Sequence, residues 1–200
     1  VLPPGACDGD SPLGLDDRRA GWTLVWEDAF EGPSGQLPDA TRWRFDIGTD
    51  WGNGQLEYDT DRPENASLDG NGNLAITARQ ESFSGSAYTS ARITTQDLFE
   101  PQEGLFEARI RLPSGRGIWP AFWLLGANIE TVPWPGCGEI DIMEYRGQEP
   151  TVIHGSLHGP GYSASQAVTS RFVLQDSRFD TDFHVFSVEW KKNSISWFVD

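Results

Sequence analysis

The segment Gly138-Glu139-Ile140-Asp141-Ile142-Met143-Glu144-Tyr145 places three carboxylates within six residues of a stretch otherwise rich in β-formers. Like charges that close repel, and burying them costs more, unless one of them keeps its proton. A solvated acidic edge strand would avoid that cost, but Ile140, Ile142 and Met143 argue for a buried face and a central strand. A site that needs an acid beside a base wants this arrangement. Cleavage of a glycosidic bond with retention is one such reaction: an ionised carboxylate attacks the anomeric carbon while a protonated carboxyl assists departure.

In a regular strand Glu139, Asp141 and Met143 share one face and Glu144 points to the other, because side chains alternate. A β-bulge near Ile142-Met143 returns Glu144 to the face of Glu139 and Asp141, and bulges are over-represented beside active sites. The two glutamates then stand roughly 13 Å apart at Cα, at about 3.3 Å per residue, a gap that long side chains leaning together close for the most part.

The elements that must hold this strand are short β segments parted by Gly, Pro, Asn and Asp. They are Trp22–Trp26, Asn73–Gln80, Ser90–Thr95, Gly104–Leu112, Trp119–Leu125, Glu139–Tyr145, Val152–His158, Val185–Lys191 and Ser194–Val199. Such spacing suits a sandwich. Alternation is clearest where Phe106, Ala108, Ile110 and Leu112 form one face and Glu107, Arg109 and Arg111 the other. No apolar stripe at helical spacing and no internal repeat is visible. The expectation is one all-β domain over residues 21–200, after an extended arm over residues 1–20 marked by Pro3, Pro4, Gly5, Gly9, Pro12 and Gly14. The last two segments, joined at Lys192-Asn193, form a hairpin that stops at Asp200 without a closing turn.

Composition narrows the partner. With 15 basic against 30 acidic residues, the net charge of −15 has the wrong sign for nucleic acid or anionic lipid and would repel sulfated or uronic polysaccharides. A neutral glucan is favoured, and nine tryptophans offer flat apolar faces for sugar rings as well as for a core. No run of eighteen apolar residues marks a membrane span. Cys7 and Cys137 are either a disulfide, which fits an extracellular protein and in the chain-entropy model stabilises by about 4 to 5 kcal/mol, or two unpaired thiols.

With these residues in view, the sequence resembles glycoside hydrolase family 16, and within it the laminarinase-like endo-β-1,3-glucanases. The strongest element is Glu139-Ile140-Asp141-Ile142-Met143-Glu144, whose methionine spacing marks laminarinase-like members; the lichenase form lacks the inserted residue. Supporting matches are Trp51-Gly52-Asn53-Gly54-Gln55-Leu56-Glu57-Tyr58, Ser90-Ala91-Arg92-Ile93, Gly117-Ile118-Trp119-Pro120-Ala121-Phe122-Trp123 and His154 through Tyr162. The resemblance implies a β-jelly-roll sandwich of two antiparallel sheets with an open cleft on the concave face. It implies Glu139 as nucleophile, Glu144 as acid/base and Asp141 hydrogen-bonded to Glu139. Sugar contacts implied in the same way are Asn53 and Arg92, the walls Trp119, Trp123 and Trp134, and His158 near the cleavage point. The plainer readings are a surface ion pair for Arg92, core packing for Trp119 and Trp123, and a loop histidine for His158; His154 and His184 read as structural.

The resemblance further implies a protein that needs no cofactor for catalysis, with a structural Ca²⁺ held by Glu31 and the Gly72 carbonyl plus an aspartate from strands beyond Asp200. Those strands are expected to be missing here or supplied elsewhere. Asp59 departs from the family, which often has a second tyrosine there. The expected protein is a secreted, monomeric endo-glycosidase of β-1,3-glucan. The alternatives are a non-catalytic β-glucan-binding module, or a family 16 enzyme acting on mixed-linkage glucan or agarose. A lectin would use the aromatic platform but has no need of a nucleophile–acid pair.

Overall fold

The structure, a computed structural model, describes residues 19–200. Cys7 and all but the last two residues of the expected arm lie outside the described residues. Two compact units contain the rest: Leu24–Glu100, and Pro101–Asp200 together with residues 19–23.

The first unit is built of short strands: β1 (Arg44–Asp46), β2 (Glu57–Asp59), β3 (Ala66–Leu68), β4 (Leu74–Ile76), β5 (Arg79–Phe83), β6 (Ser86–Ser90) and β7 (Arg92–Thr94). β1 pairs with β7, β3 with β4 and β5 with β6, all antiparallel, while β2 runs parallel to β6. The segment Trp22–Trp26 is not a strand, although its alternation suggested one, and Leu24 and Val25 are exposed. Ring packing replaces backbone pairing there: Trp26 stacks on Phe99 at 5.6 Å and meets Trp43 edge-on at 5.4 Å. Much of this unit's interior is polar. Asn65, fully buried, donates to Thr89 Oγ1 at 2.9 Å and to the Thr77 carbonyl at 3.0 Å, and accepts from Thr60 at 2.6 Å and Arg62 at 2.8 Å.

The second unit holds the longer strands β8 (Gly104–Arg111), β9 (Ala121–Leu125), β10 (Glu139–Tyr145), β11 (Val152–His158), β12 (Val168–Val173), β13 (Phe183–Lys191) and β14 (Ser194–Val199). They form two antiparallel sheets, in the orders β12-β11-β10-β9 and β14-β13-β8. Ile140, Ile142, Met143, Tyr145 and Ile153 of the first sheet join Phe186 and Val188 of the second, with Leu112 and Phe179, in one core. Phe106 and Ile110 of β8 pack on that core, as their alternation foretold. On the opposite face, Glu107 pairs with Arg19, and the Arg109 guanidinium lies 3.8 Å from the Phe183 ring centroid. β10, β11 and β14 run between the residues that patterning had set. β12 escaped it because an exposed edge strand shows no buried alternation, and β1 to β3 are too short for a period to register.

Candidate active site

The geometry of β10 decides what its three acids can do. Against β9, Asp141 faces Trp123 but Met143 already faces Phe122, so two steps on β10 answer one on its neighbour. Against β11, Asp141 faces Ser156 and Glu144 faces His154. The bulge therefore falls at Ile142-Met143, and both extra-turn side chains go to the core, at 3% and 1% exposure. Two features support it. The Trp197 indole N–H donates to the Asp141 carbonyl at 2.8 Å. Gly155, opposite the bulge, has no Cβ, and one built there would stand 2.8 Å from the Trp197 ring.

Glu144 thus returns to the face of Asp141. Its Oε1 accepts from the Trp119 indole N–H at 3.1 Å, and its Oε2 accepts from the Ser156 hydroxyl at 3.1 Å. Ser156 in turn lies 3.2 Å from Thr169 Oγ1. Asp141 is buried between the two glutamates. Burial first, then the charges of Glu139 and Glu144, and then its hydrogen bond to Glu139 push its carboxyl up to about 8. Asp141 accordingly holds a proton at neutral pH, and the hydrogen bond to Glu139 is one it can donate.

His158 faces Glu139 across β11, its Nε2 lying 3.1 Å from Asp141 Oδ2 and 3.9 Å from Glu139 Oε1. The Ala164 N–H donates to its Nδ1 at 3.3 Å. That bond assigns the ring proton to Nε2, from which it points at Asp141. Ala164 adopts φ +49° to do this, a left-handed conformation unusual for a residue with a Cβ. The Trp134 ring lies 5.8 Å from His158, tilted by 48°. Trp119 is 46% exposed, and Trp123 stands directly opposite Asp141 while its neighbours Phe122 and Leu124 pack on the core. The three tryptophans therefore belong with the acids, not with the core.

Glu139, Asp141 and His158 each bring a donor atom within 4.8 Å of the others, as a cation site would. Here a protonated Asp141 and the Nε2–H of His158 turn hydrogens inward, which does not suit a cation. Of the expected calcium donors, Glu31 lies beside Gly72: a Cβ built on Gly72 would stand 3.8 Å from Glu31 Oε1 and 3.6 Å from the Ala29 carbonyl. Those groups supply fewer than the six to eight oxygens calcium takes, so the described residues do not complete a site.

Asn53 and Arg92 belong to the first unit. Asn53 sits exposed at φ +56° in a turn. Arg92 makes the ion pair that the plainer reading offered, with Asp46 at 2.8 Å, and also lies over the Trp51 ring at 4.8 Å. Trp51 donates to Asp59 at 2.9 Å, and Asp59, the departure from the family pattern, is pushed up to about 6 by burial and then by the charge of Glu57. Among the described residues Cys137 pairs with no other cysteine and its Sγ lies 3.6 Å from the Gly138 carbonyl, while Cys7, the other half of the disulfide or of the pair of thiols, lies outside the described residues.

Sequence reasoning missed Ser156, Thr169, Gly155 and Trp197. Ser156 was within reach, since it lies two residues before His158 in a strand and so shares its face. Thr169 carried no signal, because β12 itself carried none.

Residues 49–200 match the family model described as glycosyl hydrolases family 16. The chain belongs to this family. A relative from Rhodothermus marinus, called a beta-glucanase, is 44% identical over 198 residues, covering 96% of this chain and 68% of that protein. A glucan endo-1,3-beta-glucosidase of Cryptopygus antarcticus is 40% identical over 188 residues, covering 90% of this chain and 67% of that one. Among solved structures, the laminarinase catalytic domain from Thermotoga maritima MSB8 matches with a TM-score of 0.83 at 45% identity, over 90% of this chain and 74% of that one. The all-β jelly-roll class expected of a family 16 member holds for this chain.

Proposed function

We propose that the protein is an endo-acting hydrolase of β-1,3-glucosidic bonds in laminarin-type glucans, working with retention through a double displacement. The Glu139 carboxylate attacks the anomeric carbon as Glu144 gives its proton to the departing glycosidic oxygen. The carbon–oxygen bond breaks, and a glycosyl ester forms on Glu139. Glu144, now ionised, takes a proton from water, whose oxygen attacks the same carbon and releases Glu139. Protonated Asp141, braced by the Nε2–H of His158, donates to Glu139 and keeps that carboxylate ionised and aimed. Trp119 and Ser156 donate to both oxygens of Glu144, so the charge it carries between the steps is met by hydrogen bonds.

The observation that carries this reading is the bulge that sets Glu144 on the face of Asp141 and Glu139. The names of the relatives support the linkage. We further propose a monomer acting outside the cell, since every step draws on one chain and a polymeric glucan is met there; the steps use protein carboxylates alone.

The test is reducing-sugar release from laminarin, lichenan and agarose side by side, with proton NMR of the first product. Laminarin should be preferred and the β-anomer should appear first. An α-anomer first would remove Glu139 as nucleophile, and binding of laminarin with no new reducing ends would favour the glucan-binding module.

A further inference from the structure

His158 closes β11, and the chain returns to its ring within six residues. Gly159 and Tyr162 bond to each other in both directions, N–H to carbonyl, at 2.9 and 3.0 Å. A Cβ on Gly159 would stand 2.4 Å from the Tyr162 hydroxyl oxygen, so only glycine fits this turn, and Gly161 takes φ +86°. The Ser163 carbonyl then accepts the Gln166 N–H at 2.9 Å, and the Ala164 carbonyl accepts the Ala167 N–H at 3.1 Å. The Ala164 N–H goes elsewhere. It donates to His158 Nδ1 at 3.3 Å, from a left-handed φ of +49° that a residue with a Cβ seldom adopts.

The chemistry of the ring says what this amide controls. A neutral imidazole carries one N–H and one lone pair. While Ala164 donates to Nδ1, the lone pair is there and the hydrogen is on Nε2, 3.1 Å from Asp141 Oδ2. Facing an N–H, the Asp141 carboxyl cannot give its own proton to the ring, and its hydrogen bond runs to Glu139. Exchanging the tautomer exchanges the partners. Nδ1 would carry the hydrogen, Nε2 would accept from Asp141, and Glu139 would lose its donor. The ring holds one proton and Asp141 one in either arrangement, so no charge is gained or lost.

We propose that the backbone N–H of Ala164 is a positioning group of the catalytic trio: by holding His158 in its Nε2–H tautomer it commits the Asp141 proton to Glu139. The turn from Gly159 to Ala164 aims that N–H at the ring. Glu139 as nucleophile comes from the hydrolase reading, on which the inference rests.

The tautomer is read from the imidazole nitrogens by long-range proton–nitrogen NMR at neutral pH, and since the chain has three histidines, His158→Gln picks out the signal. The wild type should show hydrogen on Nε2 and a bare Nδ1. Ala164→Pro has no N–H to give and cannot take φ +49°. In it the Nδ1–H form should appear, and kcat on laminarin should fall about tenfold, the worth of one hydrogen bond, with KM within about twofold. Ala164→Gly keeps the N–H, takes that φ without strain and should hold the wild-type tautomer. A wild-type ring with hydrogen on Nδ1, or on both nitrogens, would overturn the proposal whether or not the variants fold. A folded Ala164→Pro protein with wild-type kcat would also overturn it, as would one that loses activity with its tautomer unchanged. A wild type that releases no reducing ends from laminarin would overturn the hydrolase reading instead, and the ring spectrum would then decide alone whether Ala164 sets the tautomer.

Discussion

Two clusters of polar side chains, one in each unit, are made from nearly the same ingredients and come out electrically opposite. In the first unit Glu81 accepts from Thr89 at 2.6 Å and pairs with Arg62, whose guanidinium also binds Asn65. The Thr89 hydroxyl first and Arg62 second hold the Glu81 carboxyl below its usual range. In the second unit three carboxylates share one face of β10, and the residues bonded to them are an indole, a hydroxyl and an imidazole. There Asp141 is pushed up to about 8. Supplying a cation settles an acid into one charge state and serves the fold. Withholding it leaves the proton mobile near neutral pH, which a hydrolytic cycle requires.

The hardest test of that difference removes the acids themselves. Glu139→Ala and Glu144→Ala should each cut kcat on laminarin oligosaccharides by on the order of 10⁴-fold or more. Azide should tell them apart. A small anion filling the place of Glu139 gives an α-glycosyl azide, and one intercepting the ester when Glu144 is absent gives a β-glycosyl azide. The reverse pattern would exchange their roles.

Asp141→Asn keeps the shape and removes the proton's choice. It should lower kcat about 10² to 10³-fold, since Asn can still donate but cannot follow the charge on Glu139. Its stability signature is of opposite sign. A folded value of about 8 against an unfolded value near 3.9 means that wild-type stability from this group is present below pH ~4 and lost as pH rises through about 8. The Tm advantage of Asp141→Asn should therefore be small at pH 4 and greatest above pH 8. Arg62→Met should do the reverse in the first unit, lowering Tm most at neutral pH, where the ionised Glu81 loses its cation. Melting curves of both variants between pH 4 and 9 would check the pair, and parallel curves would show that the two clusters do not differ as argued.

How much of this was legible in the residues follows the same divide. β10 could be read because Ile140, Ile142 and Met143 cannot lie in water while Glu139, Asp141 and Glu144 cannot all lie in a core, and only a bulge satisfies both. β8 declared itself by strict alternation. The first unit was read poorly, because its interior is held by Thr60, Asn65 and Thr89, and polar residues that pair only in three dimensions leave no period. The support of the bulge was likewise hidden, since Trp197 and Gly155 are 42 residues apart and meet only through sheet packing.

That support gives the next test. Deleting Met143 removes the extra residue, so Glu144 follows Ile142 and reaches the Asp141 face in a plain strand. The floor beneath the glucan should flatten, and preference should move from laminarin toward mixed-linkage lichenan. Because Met143 is 1% exposed, Met143→Ala should cost about 2 to 5 kcal/mol of stability while keeping the laminarin preference. Gly155→Ala should strain the Trp197 contact opposite the bulge and cut activity about tenfold. An unchanged laminarin preference after the deletion would show that the bulge does not shape specificity.

The smallest expected effect concerns the hydroxyls behind Glu144. An indole N–H can only donate, so Trp119 offers Glu144 the same bond in either charge state. Ser156 is different, because either hydroxyl of the Ser156–Thr169 pair can be the donor. When Glu144 is ionised, Thr169 can donate to Ser156 and Ser156 to Oε2. When Glu144 holds a proton on Oε2, Ser156 can accept it and donate to Thr169. The pair can thus follow the acid through both halves of the cycle. Ser156→Ala deletes a donor to the ionised form, so kcat on laminarin should fall about fivefold, the worth of one hydrogen bond. Thr169→Val leaves Ser156 in place and should lower kcat less. Should the Ser156→Ala variant turn over laminarin as fast as the wild type, the hydroxyl pair is packing alone, and the indole of Trp119 is the group that tends Glu144.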